Sequence, residues 1–451
     1  MTDFPTAAGQ WLAGRHDLVP GEELSVGVTA ALLGGADALT EAHAALAAQV
    51  DAGLLVPVDG IPDGPVLPGA PAPRYRRARV APSDARPPHD GVELEAVERV
   101  VRHLLLHATG ASEALGPGKY RPFGDELAPL PRFDGEADAM AWFGFEGDTV
   151  LAVQRRAWEL GMEAETAQFG PACWPWLRVT RRVEDQLAVQ HLAAEAAERF
   201  DHIAASAAFS RSAWALNALG RPEQALPILA RALEVADRHG HDWSRATALT
   251  TRGRAYRALK RFDEALADIY AALDIDKQRL VTAPDGTKTA PHTAIGLRWM
   301  EIAETHLVPG FVDGAEALRA AGNALTALSR DPRRRRETLR AHVLRGRALN
   351  VTGKPDEAVE ELRAAEDLAD PTTDHYHLAA IKHRRGDALA LLRDTERAKA
   401  EHGAAAGLYR KAGHHDLAKQ LQQRLDGHDA QTGMDSRKPV PDPTHRTQDP
   451  G

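Results

Sequence analysis

A seven-residue phrase recurs along this chain in fixed phase, and each copy has the chemistry of a corner between two helices. It reads Gly220-Arg221-Pro222-Glu223-Gln224-Ala225-Leu226, then Lys260-Arg261-Phe262-Asp263-Glu264-Ala265-Leu266. It returns as Gly353-Lys354-Pro355-Asp356-Glu357-Ala358-Val359 and, more degenerate, as Arg393-Asp394-Thr395-Glu396-Arg397-Ala398-Lys399. The anchoring alanines stand 40 residues apart (225 to 265), then 93 (265 to 358), then 40 (358 to 398). A weaker copy at Glu316-Ala317-Leu318 divides the 93 into 52 and 41. Periodicity of this kind indicates stacked repeats, none of which can bury its apolar face alone. Such arrays present a surface for partners more readily than a catalytic pocket, which sets the expected class of function.

Each position in the phrase has a physical role. Gly220 and Gly353 can end the first helix in a left-handed conformation, where glycine is cheapest. Pro222 and Pro355 open the second helix without losing a needed donor. Glu223, Asp263, Asp356 and Glu396 complement the positive end of the helix dipole. The second helix then presents Ala225, Leu229 and Ala232; Ala265, Ile269 and Ala272; and Ala358, Leu362 and Ala365 on one face. In the first helix, Gly253, Gly346 and Gly386 recur at one phase, where glycine costs about 1 kcal/mol relative to alanine. Close approach of the paired helix is the expected reason.

A chain of 451 residues is too long for one core and should form two or three domains. The net charge of −9 gives no general attraction to nucleic acid or anionic lipid. The one cysteine, Cys173, excludes an internal disulfide and a cysteine-based zinc site. The start, Met1-Thr2-Asp3-Phe4-Pro5, lacks the pattern of a signal peptide, and no run of about 18 apolar residues offers a membrane span. These features predict a cytoplasmic location.

Residues 1–91 read as short helices (Val26 to Leu33, Ala38 to Leu55) followed by a proline-rich wing or linker with extended pieces at 54–58 and 74–80. Helices followed by a two-stranded wing predict a small winged-helix-like domain. Residues 92–200 read as a helical linker domain. Four of the eight tryptophans (Trp142, Trp158, Trp174, Trp176) fall in this block and are expected in its core. Residues 201–427 hold the repeats, with an insertion from Val281 to Thr293, and 428–451 read as a disordered tail.

The repeat residues resemble the tetratricopeptide repeat family over roughly 202–426, with a period of about 40 against the usual 34. That resemblance implies an all-α tetratricopeptide-repeat α-solenoid. A second resemblance is to actinobacterial regulators of the STAND class, which join an ATPase, a winged-helix domain, a helical linker and such repeats. Ala141-Trp142-Phe143-Gly144-Phe145-Glu146 with Trp158-Glu159-Leu160-Gly161 looks like their linker, and Arg74-Tyr75-Arg76 like the end of their wing. The chain departs from them in having no Gly-x-x-x-x-Gly-Lys-Ser/Thr loop, and Arg77-Ala78-Arg79 stands where their His-Asp pair would be. It therefore resembles a regulator's C-terminal half without its motor, and ATP-driven switching is not implied.

No arrangement of residues supports an enzyme, a cofactor or a metal site. The histidine pairs His239/His241, His375/His377 and His414/His415 lack metal-ligand spacing with glutamate, and Cys173 reads as core. DNA binding by the first domain is disfavoured, since no Lys or Arg lies between Arg15 and Arg74 while eight Asp and Glu do. The run Arg333 to Arg336 reads as a solvated face. What remains is the concave groove that the family resemblance implies. Mapped by phase, its lining is Trp214, Arg254, Arg347 and Asp387, with Asn217, Arg257 and Asn350 three positions on. Arginines and asparagines on one face suit a peptide backbone and carboxylates. The expectation is a non-catalytic adaptor, regulatory in role, that captures an acidic or extended protein segment. The rivals are a transcriptional regulator with peptide-sensing repeats and an accessory subunit of an enzyme complex.

Overall fold

The computed structural model describes residues 7–12, 15, 18–20, 23–35, 37–52, 54–58, 74–77, 88–116, 129–282, 288–331 and 334–435. They divide into two compact units, 1–259 and 260–451. Among the described residues both are built mainly of helices.

The first unit begins with α1 (Ala7–Leu12), β1 (Glu23–Ser25), α2 (Val26–Leu33), α3 (Ala38–Asp51), β2 (Leu55–Pro57) and β3 (Arg74–Arg77). The strands form an antiparallel sheet in the order β1-β3-β2, with Leu24 opposite Tyr75 and Val56 opposite Arg76. Ser25 caps α2 by accepting a bond from the Val28 amide. The expected extended pieces supply β2 and β3, whereas β1 is too short to leave a pattern in the sequence.

Seven longer helices follow: α4 (Gly91–Leu115), α5 (Gly135–Glu159), α6 (Glu163–Val179), α7 (Val183–Arg199), α8 (Ala204–Ala218), α9 (Pro222–Arg238) and α10 (Asp242–Ala258). Leu24, Val28, Leu32, Leu46 and Leu55 share one apolar core with Val97, Val101 and Leu104 of α4, Phe143 of α5 and Trp176 of α6. No gap in the core therefore falls at residue 91. Of the four middle-block tryptophans, Trp176 alone is buried, stacked on Phe143 at 4.7 Å, while the other three are half-exposed. Gly147 makes room for it, since a Cβ there would lie 2.4 Å from the indole. Cys173 is fully buried, and burial pushes its thiol up to about 12.

The second unit contains α11 (Phe262–Gln278), a small hairpin of β4 (Val281–Thr282) and β5 (Lys288–Thr289), and then α12 (His292–Thr305). It continues through α13 (Gly314–Leu328), α14 (Arg335–Val351), α15 (Pro355–Asp367), α16 (His375–Leu391), α17 (Thr395–Lys411) and α18 (His415–Asp435). The hairpin occupies the expected insertion. Of the tail expected over 428–451, residues 428–435 are the end of α18, and 436–451 lie outside the described residues.

The alanines of the recurring phrase behave alike. Ala225, Ala265, Ala317, Ala358 and Ala398 are all buried near the start of α9, α11, α13, α15 and α17, which places the weak copy at 317 in register with the others. Gly220 and Gly353 take φ of 70° and 74°; Lys260 and Arg393 occupy the same place in their units at 60° and 64°. The mid-helix glycines meet the paired helix, since a Cβ on Gly346 would lie 2.8 Å from Leu362 Cγ and one on Gly386 2.4 Å from His402.

Candidate functional site

The residues expected to line a groove sit on α8, α10, α14 and α16, the first helices of their pairs. In the first unit, Trp214 is half-buried and meets Trp174 edge-on at 5.6 Å, and the Arg211 guanidinium lies 5.2 Å from the Trp174 ring. Asn217 donates its side-chain amide to the carbonyl of Thr251 on α10 (3.3 Å), tying two successive first helices together. Arg254 and Arg257, one and two turns beyond Thr251's position on α10, are half-buried and already engaged within the protein.

The second unit repeats the asparagine tie. Asn350 on α14 donates to the carbonyl of Arg384 on α16 at 3.1 Å. Both asparagines leave Oδ1 buried without a partner. Their donors thus serve helix spacing, and their acceptors are closed off from solvent. Sequence phase placed these residues on the expected helices; it did not show that their amides were already committed.

Arg347 differs from the other cations of the set. It is half-buried and makes no hydrogen bond or ion pair among the described residues. Burial, reinforced by the neighbouring Arg384, pulls its guanidinium below the ordinary arginine range, while Glu304 and Asp387 pull the other way. A cation held in this way is a ready partner for a carboxylate, because Glu304 and Asp387 offset its desolvation only in part.

Asp387 lies in the same neighbourhood, and two guanidinium groups and two imidazoles converge on it. Arg384 Nη1 reaches Oδ2 at 3.1 Å, His402 Nε2 and Arg424 Nη2 reach Oδ1 at 3.2 and 3.5 Å, and His383 Nε2 stands 3.8 Å from Oδ2. Burial favours the neutral acid, but the bond from His402 and the charges of His383 and Arg384 prevail and hold the carboxyl at about 2. Arg384, His383 and His402 were not singled out in the sequence. Their only trace was the four-residue spacing of His383 and Asp387 on one helix, completed by a histidine from the next helix.

His383, Asp387 and His402 bring three potential metal donors within 4.8 Å of one another. The donor set of two imidazoles and a carboxylate has the chemistry of a zinc or other transition-metal site. Yet both carboxylate oxygens already face guanidinium groups, which would repel a divalent ion. The cluster therefore reads as part of a cationic patch, and not as a metal centre. The arginine run is largely paired as well. Arg335 and Arg336 reach the buried Asp374 at 3.3 and 3.1 Å, and Arg334 faces Asp331; Arg333 lies outside the described residues.

The family model described as tetratricopeptide repeat matches residues 204–278, which span α8 to α11. No curated protein matches the chain in sequence. Among solved structures, the chain is similar to a Rap protein complexed with competence and sporulation factor, at 12% identity and a TM-score of 0.45 over 77% of this chain and 89% of that one. It is also similar to NprR in complex with its cognate peptide NprX, at 12% identity and a TM-score of 0.43, covering 66% and 86% of the two chains. A STAND protein with a tetratricopeptide repeat sensor from Pyrococcus horikoshii shows 13% identity and a TM-score of 0.42 over 96% of this chain and 65% of its own. With the helix pairs described above, the family match makes the fold an all-α solenoid of tetratricopeptide type. No helix among the described residues is long and apolar enough to cross a membrane.

Proposed function

We propose that this chain is a non-catalytic, regulatory adaptor that binds an extended protein segment carrying a carboxylate along the first helices of its repeats. The observation that carries this reading is Arg347: a half-buried guanidinium that makes no direct ion pair among the described residues, in the neighbourhood of Arg384. Guanidinium forks recognise carboxylates in two-point geometry. In the first unit, Trp214 and Trp174 supply a partly exposed aromatic surface of the kind that anchors a peptide side chain. Arg254 and Arg257 would join by exchanging their present partners for the ligand.

The order helix, strand, helix, helix, strand, strand, with a β1-β3-β2 sheet, supports a winged-helix reading of the N-terminal part. Its described residues do not favour DNA recognition. The sequence of α3 contains no lysine or arginine, and the wing residue Arg76 is paired with Glu23 at 2.8 Å.

The test is affinity purification of the full chain from its native cells, beside a variant carrying Arg254→Glu, Arg257→Glu and Arg347→Glu. Partners found with the wild type and lost with a variant of unchanged far-UV circular dichroism would support the adaptor. Identical partners from both would remove this surface from consideration.

A further inference from the structure

The first unit has a half-open cavity of about 990 Å³, separate from the helix faces discussed above and bounded mainly by α2, the start of α3, α4 and α5. Its size lies at the upper end of the range for small-molecule sites, roughly 300–1,000 Å³. The two long walls differ in kind. Gly27, Ala30, Ala31 and Gly34 make a wall almost without side chains on and just after α2, while Trp142 and Phe145 of α5 supply aromatic rings. The low relief is used: a Cβ on Gly27 would come within 3.3 Å of His103 Nε2.

Between these walls stand His103 and His107 of α4, their rings 4.2 Å apart, with Trp142 stacked 6.0 Å from His107. His107 Nδ1 lies 2.8 Å from the His103 carbonyl. A carbonyl can only accept, so Nδ1 carries the proton and Nε2 is left as an acceptor. The His103 ring makes no hydrogen bond among the described residues. Burial, with the neighbouring His107, holds His103 at about 4, and burial lowers His107 too, so both are neutral near pH 7.

The charged side chains at the cavity already have hydrogen-bond or ion-pair partners. Arg99 donates to the carbonyls of Ala31 and Leu32 at the end of α2 (3.1 and 2.8 Å). Arg102 pairs with Glu98 and Glu165 at 3.4 and 3.3 Å. Asp138 accepts from the Asp134 amide at 3.0 Å, and Glu146 is buried and engaged. A charged ligand would compete with these bonds, whereas an uncharged one need only meet two imidazoles.

We propose that this cavity binds a flat, uncharged heteroaromatic small molecule, held between the glycine–alanine wall of α2 and Trp142 and Phe145 of α5. In this arrangement His103 and His107 offer hydrogen bonds to the ligand's polar edge.

The test titrates the full chain with N-phenylnaphthylamine, a neutral aromatic fluorophore, and then competes it with the flat molecules naphthalene or quinolone, the second of which adds a donor–acceptor edge. Saturable binding is expected, weakened by about tenfold or more in Ala31→Phe and in Ala141→Trp, which fill the cavity and its mouth. Ala141 is exposed, so its variant is decisive if Ala31→Phe lowers the melting temperature. Quinolone should compete better than naphthalene, and His103→Leu should abolish that preference, because a polar group left unpaired penalises the wrong ligand. Absence of saturable binding, or binding indifferent to both filling variants, overturns the site. Equal affinity for anionic anilinonaphthalene sulfonate overturns the uncharged class, and a preference that survives His103→Leu overturns the role of the imidazoles.

Discussion

Two glycine-to-alanine changes in the second unit should shift stability in opposite directions. Gly346 and Gly322 are both helical, and in each case alanine gains about 1 kcal/mol of intrinsic helix propensity. At Gly322 a new Cβ meets nothing within 4 Å, so the gain stands. At Gly346 the same Cβ would lie 2.8 Å from Leu362 Cγ, 3.0 Å from Cδ2 and 3.2 Å from Cδ1. Cγ is the branch point of a fully buried side chain, so rotating the methyls does not relieve the contact. Overpacking of this kind costs about 1–3 kcal/mol, which outweighs the helix term and leaves a net loss of up to about 2 kcal/mol. Urea unfolding of the full chain measures both, with the slope checked because a repeat array need not unfold in one step. Leu362→Ala supplies the internal control: it costs about 2–5 kcal/mol alone, and in its background Gly346→Ala should become favourable. Equal stabilisation by Gly346→Ala and Gly322→Ala would falsify the claim that this glycine is kept for helix approach.

Lys260→Gly and Arg393→Gly should each raise the unfolding midpoint, since a non-glycine residue held left-handed loses about 1 kcal/mol or more that glycine does not; a lower midpoint in both would show that their side chains matter more than their backbone. The first unit should lose stability as the pH falls from about 6.5 to about 4, because His103 binds a proton in the unfolded chain over that window and resists it when folded. His103→Leu should flatten this segment of the pH–stability curve, and an unchanged slope would assign the acid sensitivity to other groups.

The repeat corners were legible because their chemistry is local. A glycine or proline at a turn and an alanine on the buried face act within a few residues, so Ala225, Ala265 and Ala358 stand out, and even the weak copy at Ala317 could be placed. The short strand β1 escaped notice because its three residues are defined by pairing with Arg74–Arg76 and not by any periodicity of their own. Long-range partnerships were equally silent. Phase along the helix put Asn217, Asn350, Arg347 and Asp387 on the appropriate elements, but nothing in the sequence showed that the asparagine amides were spent on Thr251 and Arg384. Likewise, His402 comes to Asp387 from a different helix, and the cavity beside His103 arises where α2, α4 and α5 meet. Such sites depend on packing between segments far apart in the chain.

The asparagine ties bear on how the ancestry of such a protein should be read. Asn217 and Asn350 occupy equivalent places 133 positions apart, each bonded to a carbonyl 34 residues ahead, with its remaining oxygen shut away from solvent. An asparagine retained at this place among descendants would testify first to the spacing of successive helices. If the proposed function holds, divergence in what the protein recognises would instead be written at Arg347 and its neighbours, where substitution leaves those ties intact. Selection on architecture and selection on recognition would thus leave their records on the same helices, one turn apart.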